Sequence, residues 1–283
     1  MPECIICNNK ESFRKKYIIL LQCMNCSHIF ADDNLDEKAI EEIYSNKYFF
    51  GDEYINYIND KQQIEKNSKS RLKIIKKYSG KLINKNLFEI GCAYGFFLNS
   101  IKNNFKNVSG IEINKDAVEY ARDKLDLDVI NGDFATNKNI SLQKYNIFCM
   151  FDVIEHLNNP DKTIKRIATE TNDETYIYIT TGDIESLNAR VKGKNWRLIH
   201  PPSHIHYFSK KTIKLLLEKN GFKIISIKYC GYNRNLLSIL SKIKIIKNYF
   251  SFIIKLIVFL KLSDLNLYLN LYDIMLVVAK KEK

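Results

Sequence analysis

From residue 86 onward, short apolar runs alternate with segments of helical period, and few folds accept such a pattern. The runs 86–91, 108–113, 128–134, 145–152, 175–181, 223–229 and 273–280 read as strands. Segments 95–104, 115–125, 161–169 and 210–220 read as helices, the last closing at Gly221, where a C′ glycine belongs. This alternation predicts an α/β domain built on a doubly wound, mostly parallel sheet covered on both faces. Ligands of such a sheet sit beyond the carboxyl ends of its first four strands.

The first strand-to-helix turn reads Glu89-Ile90-Gly91-Cys92-Ala93-Tyr94-Gly95. Two glycines four apart let the backbone approach a ligand with no Cβ in the way. Glu112 ends the next strand 21 residues after Gly91, where a carboxylate can accept both hydroxyls of a ribose. Asp133 and Phe134 close the third, placing a carboxylate and a ring where an adenine would lie. A nicotinamide dinucleotide competes for these features. However, Tyr94 and Phe96 stand where a third glycine would be, so the loop is not shaped for a pyrophosphate.

Four of the seven cysteines fall in the first 26 residues, as Cys4-x2-Cys7 and Cys23-x2-Cys26 separated by 15 residues. This spacing matches a four-thiolate zinc site, in which two knuckles at the ends of a hairpin close a tetrahedron. Four thiolates leave no open position, so the metal is expected to be structural. Two disulfides, or four unrelated thiols, are the alternatives. The opening residues lack a basic region followed by an apolar stretch, so no secretory signal is expected, disulfides are disfavoured and a cytoplasmic setting is predicted.

As a set, the loop 89–95, Glu112, Asp133-Phe134, the segment 151–157 (Phe-Asp-Val-Ile-Glu-His-Leu) and the segment 200–209 (His-Pro-Pro-Ser-His-Ile-His-Tyr-Phe-Ser) resemble class I S-adenosylmethionine-dependent methyltransferases. The resemblance implies a seven-stranded Rossmann-like sheet whose last strand, 273–280, is antiparallel. It places Glu89, Gly91, Cys92 and Gly95 in the cofactor loop, the last three against the methionine part. Glu112 would hold the ribose, Asp133 and Phe134 the adenine, and Phe151 would lie near the sulfonium. Ala93 departs from the middle glycine that many members carry. The cysteine ribbon joined to such a body resembles a subgroup that acts on sugars, nucleotide sugars and surface-glycan intermediates. Methylation at oxygen of a sugar-type acceptor is therefore expected, with carbon or nitrogen as alternatives. A ribosomal-RNA methyltransferase and a catalytically silent zinc-ribbon binding module compete. The expected domains are a ribbon over 1–40, an aromatic linker or lid over 41–80, and the methyltransferase body over 81–283 with a helical insertion at about 233–265.

Methyl transfer to a hydroxyl needs the acceptor aligned about 3 Å from the methyl carbon and a base for its proton. A neutral histidine suits that task. His200, His204 and His206 cluster before the 210–220 helix, and His204 is the expected base, with His200 and His206 beside the acceptor. His156, next to Glu155, reads as structural, as does His28 beside the second knuckle. Trp196 lies with Arg190 and Arg197 in a long connection, 182–208, and is a candidate acceptor contact. The cluster Tyr44, Tyr48, Phe49, Phe50, Tyr54 and Tyr57 offers lid residues, foremost Tyr48 and Tyr54.

The net charge of +12 invites a nucleic-acid partner, but 37 of the 44 basic residues are lysine and only 7 arginine, so none is favoured. No run of 18 uncharged apolar residues predicts a membrane span. An apolar stripe, Ile239, Ile243, Ile246, Phe250, Ile253, Ile257 and Leu260, recurs at helical spacing. Packing or a homodimer through 239–260 is expected, ahead of contact with a membrane surface.

Overall fold

A computed structural model of the protein describes residues 2–17, 20–31, 61–236 and 266–282. The lid candidates Tyr48 and Tyr54 with their aromatic neighbours, and the apolar stripe 239–260, lie outside the described residues. Among the described residues, no helix is long and apolar enough to cross a membrane.

The amino-terminal strands are β1 (Phe13–Lys16), β2 (Leu20–Cys23) and β3 (Ile29–Ala31), an antiparallel meander between and after the cysteine knuckles. A 19-residue helix follows, α1 (Lys61–Ser79). The body then runs β4 (Asn86–Ile90), α2 (Phe96–Ile101), β5 (Asn107–Glu112), α3 (Lys115–Leu125), β6 (Asp128–Asn131), β7 (Ile147–Phe151), α4 (Pro160–Glu170) and β8 (Tyr176–Gly182). A short helix α5 (Leu187–Lys192), the two-residue β9 (His206–Tyr207), α6 (Lys210–Lys219) and β10 (Phe222–Tyr229) come next. The hairpin β11 (Tyr232–Asn235) with β12 (Asn266–Leu269) and the last strand β13 (Ile274–Lys281) complete it.

Seven strands form one sheet in the order β10-β13-β8-β7-β4-β5-β6, with β13 antiparallel to both neighbours and the β8-to-β6 pairs parallel. This is the expected Rossmann-like methyltransferase sheet. The central strand β7, Ile-Phe-Cys-Met-Phe, is apolar and buried throughout because helices cover both faces of the sheet. Along β4, Phe88 packs into one core layer and Leu87 into the other. The same alternation separates Phe148 and Met150 from Ile147 and Cys149 on β7. Local signals set the helix starts. Asn114 and Asn159 accept from Ala117 N–H and Lys162 N–H, Pro160 opens α4, and Ser209 with Thr212 forms a reciprocal cap on α6.

Two features differ from expectation. The third strand stops at Asn131, so Asp133 and Phe134 lie in the loop beyond it. The ribbon is not a separate sheet: β3 pairs antiparallel with β9, Ile29 opposite Tyr207 and Phe30 opposite His206. Most of the expected 233–265 insertion lies outside the described residues; the β11–β12 stem that flanks it is tied to α1 by Asn67, whose side chain accepts from Asn233 N–H and donates to its carbonyl.

Candidate active site

The loop after β4 turns through three residues at positive φ, Gly91 (+69°), Ala93 (+47°) and Gly95 (+74°). A Cβ on Gly91 would lie 2.6 Å from Val153 Cγ2. Glycine is thus required there by packing as well as by backbone conformation. Glu112 reaches across from β5 and accepts from Ala93 N–H and Asn114 N–H, each at 2.9 Å. It therefore braces the loop and still has a lone pair on each oxygen for a diol. Burial pushes its carboxyl up, and the backbone N–H donors oppose that.

Glu89 is buried beneath the loop with Oε2 lacking any hydrogen-bond partner. Burial raises its carboxyl to about 8, Arg71 pulls the other way and Glu112 adds to the rise. An orphaned carboxylate oxygen beside a glycine turn fits the cationic ammonium of a methionine-derived cofactor. Cys92 faces inward instead, with its sulfur packed against Gly110. Only its backbone can meet a ligand. Phe134 likewise turns its ring into the core against Phe88 and Phe148, with the Arg166 guanidinium over it. Asp133 is exposed, and its Oδ1 accepts from Thr136 N–H at 3.0 Å.

Past β7 the backbone turns at Asp152 (φ +60°). Its carboxylate accepts from Tyr232 Oη at 2.8 Å on both oxygens and from Thr180 Oγ1 at 2.9 Å, and pairs with Arg71 at 3.4 Å. Arg71 also lies 4.1 Å over the ring of Phe151, which stands edge-on to Phe97. The sequence did not single out Arg71, Tyr232 or Thr180. The available signal was slight: Arg71 is the one arginine in a helix with six lysines.

A histidine cluster adjoins this node through the turn at 154–156. The rings of His156 and His200 stand 4.5 Å and 3.8 Å from that of His204. His156 Nδ1 meets the Ser203 carbonyl at 2.7 Å and His204 Nδ1 the Leu198 carbonyl at 2.9 Å. A carbonyl only accepts, so both Nδ1 atoms carry the proton and both Nε2 atoms the lone pair. Burial holds His156 down to about 4 and His204 well below the usual imidazole value, so both are neutral at neutral pH.

Two expected acceptor contacts have partners within the protein. Trp196 is 2% exposed, packs over Gly182 and donates its indole N–H to Asp273 at 3.0 Å. Arg197 is held by the same carboxylate at 2.9 Å. His206 points toward the ribbon, its Nδ1 3.2 Å from His28 Nε2. Both rings anchor the 182–208 connection through these contacts.

In the ribbon, the sulfurs of Cys4, Cys7, Cys23 and Cys26 all lie within 4.8 Å of one another. Each knuckle is followed by a residue at positive φ, Asn8 (+59°) and Ser27 (+72°), so the two turns are equivalent. The donor set and spacing fit tetrahedral zinc.

A family model described as a methyltransferase domain matches residues 60–227. The chain belongs to that family, and its class is S-adenosylmethionine-dependent methyltransferase. The structure is similar to magnesium protoporphyrin IX methyltransferase from Synechocystis PCC 6803, solved with bound S-adenosylhomocysteine (14% identity, 87% of this chain and 100% of that one, TM-score 0.55). It is also similar to a possible histamine N-methyltransferase from Thermotoga maritima (19% identity, 86% and 100%, TM-score 0.55). A third similar structure is a methyltransferase from Archaeoglobus fulgidus (20% identity, 80% and 99%, TM-score 0.53). At these identities the likeness is one of fold. No curated protein matches the sequence.

Proposed function

We propose that the protein transfers the methyl group of S-adenosylmethionine to a hydroxyl of a sugar-containing small molecule, such as a nucleotide sugar or a surface-glycan intermediate. The adjacency of the two walls carries this proposal: only Val153 and Ile154 separate Asp152, beside the 89–95 loop, from Glu155, next to His156 of the histidine cluster. A donor on the 89–95 loop and an acceptor on the cluster would then meet at the carboxyl end of β7.

Glu89 receives the cofactor's ammonium and Glu112 its ribose diol, while Gly91 and Gly95 let the backbone close on the methionine chain. Phe151, held by Arg71, backs the sulfonium side. Asp133 and the backbone of Phe134 edge the adenine. His204 offers the Nε2 lone pair through which the acceptor hydroxyl loses its proton, with His200 beside it. The cofactor supplies an electrophilic methyl carbon. The ribbon holds a structural zinc, as its four convergent sulfurs support. The resemblance of ribbon plus body to sugar-modifying relatives supports the acceptor class. A cytoplasmic setting and self-association through 239–260 belong to the same proposal.

The test is methyl-labelled S-adenosylmethionine offered with fractionated nucleotide sugars and with ribosomal RNA. Label is expected in the sugar fraction. His204→Gln should abolish transfer while S-adenosylhomocysteine still binds within about threefold of the parent affinity. Label in RNA, or none in sugars while the cofactor binds, would reject the acceptor class.

A further inference from the structure

Glu155 lies in the turn at 154–156 and is 5% exposed, with Oε2 lacking a hydrogen-bond partner. A buried carboxylate oxygen is rarely left in that state unless a further group completes it. Glu155, His156 and His204 each offer one ligand atom, and these atoms lie within 4.8 Å of one another. One side of each imidazole is fixed as well. Both Nδ1–H groups are held by backbone carbonyls, of Ser203 and Leu198, which makes Nε2 the nitrogen of each ring that carries a lone pair for a metal. An anchored N–H on the far side of the ring is the arrangement that orients metal-ligating histidines.

We infer that Glu155, His156 and His204 form a binding site for a divalent transition-metal cation, held by two imidazole Nε2 atoms and one carboxylate. Two nitrogens and an oxygen suit Mn²⁺, Fe²⁺ or Zn²⁺ and leave coordination positions open. The site differs in chemistry from the ribbon, whose four sulfurs select a softer ion. A buried carboxylate near Asp152, its ionisation opposed first by burial and then by that neighbour, gains a cationic partner. Partial exposure of His156 and His200 gives the ion a route in.

The inference rests on the proposed acceptor wall and deepens it: the His204 lone pair acts through the cation instead of taking the proton itself. An acceptor hydroxyl bound at an open position is acidified, and its proton leaves to solvent water. The oxygen then forms the C–O bond to the methyl carbon as the C–S bond breaks. The electron pair stays on sulfur, giving S-adenosylhomocysteine and the methyl ether.

The test uses the full-length, zinc-replete protein, Mn²⁺ as probe, and loss of the free-ion electron paramagnetic resonance signal as readout. S-adenosylhomocysteine binding is measured in parallel. The parent protein is expected to remove one equivalent of Mn²⁺. Glu155→Gln and, as a second variant, His156→Asn should each weaken that binding by about tenfold or more. Both should keep S-adenosylhomocysteine affinity within about threefold, which reports an intact fold. An undiminished free signal with the parent protein, or unchanged Mn²⁺ binding in both variants, would overturn the inference. Mn²⁺ binding lost in the variants, with no S-adenosylhomocysteine binding even by the parent, would support the metal site and reject the cofactor assignment.

Discussion

Phe30 of the ribbon stands opposite His206 in an antiparallel pair, and Ala31 N–H donates to the Ile205 carbonyl at 2.9 Å. The strand after the second knuckle and the loop that carries His204 are therefore one sheet. His28 adds a buried contact, its ring 5.4 Å from that of His206 and 5.1 Å from that of Phe208.

A metal in the ribbon would then act at a distance on the loop that carries His204. A segment this short builds little core of its own, so metal ligation would supply much of its folding energy. Cys7→Ser is expected to speed amide hydrogen exchange over 205–208 by at least about tenfold while β4 and β7 keep their protection. Unchanged exchange at 205–208 would mean that the loop stands without the metal.

Glu89 gives a pH dependence whose sign can be worked out. Its carboxyl is raised from 4.5 to about 8, chiefly by burial, so the folded protein holds a proton that the unfolded chain has lost. Its contribution to stability is complete below pH 4.5 and disappears as pH rises to about 8, by up to about 1.4 kcal/mol per pH unit. Glu89→Gln copies the protonated form. The cofactor-free variant should match the parent near pH 5 and melt higher at pH 8. Its S-adenosylhomocysteine affinity at pH 8 should fall by about tenfold, because the charge that meets the ammonium is gone. Parallel melting curves across that range would contradict the account.

The sheet was legible because buried parallel strands are continuous apolar runs and the connecting helices carry their own caps. Six of the seven strands and the helix 115–125 are within about two residues of where periodicity places them, while the third strand stops short at Asn131. The glycine loop and Glu112 were legible because φ and a strand end restrict the residue type. Arg71 and Tyr232 were not. Each reaches Asp152 across more than 75 residues of sequence, and no local pattern encodes such a meeting. The partner of Trp196 was not legible either: Asp273, which takes its indole N–H, lies 77 residues away.

Tyr232 gives the sharpest test of the Asp152 node. Burial pushes its phenol up, so it stays protonated and donates to both carboxylate oxygens. Tyr232→Phe should cost about 1.5–3 kcal/mol in urea denaturation, the range for a hydrogen bond to a charged group. In a double-mutant cycle with Asp152→Asn, a coupling of about 1 kcal/mol or more is expected. Additive effects would show that the pair does not act as a unit.

Gly95 ends the cofactor loop under two constraints that substitution can separate. Its φ of +74° disfavours any side chain, and an added Cβ would come 2.6 Å from Leu127 Cδ1 and 3.2 Å from Ala121 Cβ. Gly95→Ala should therefore destabilise the protein by about 2–4 kcal/mol, combining backbone strain with overpacking. Leu127→Ala removes the nearer contact and leaves the backbone term. The double variant should thus be more stable than the sum of the two single losses predicts, by about 1 kcal/mol or more. Strict additivity would assign the whole requirement for glycine to φ, and leave the packing of the 89–95 loop against Leu127 without energetic consequence.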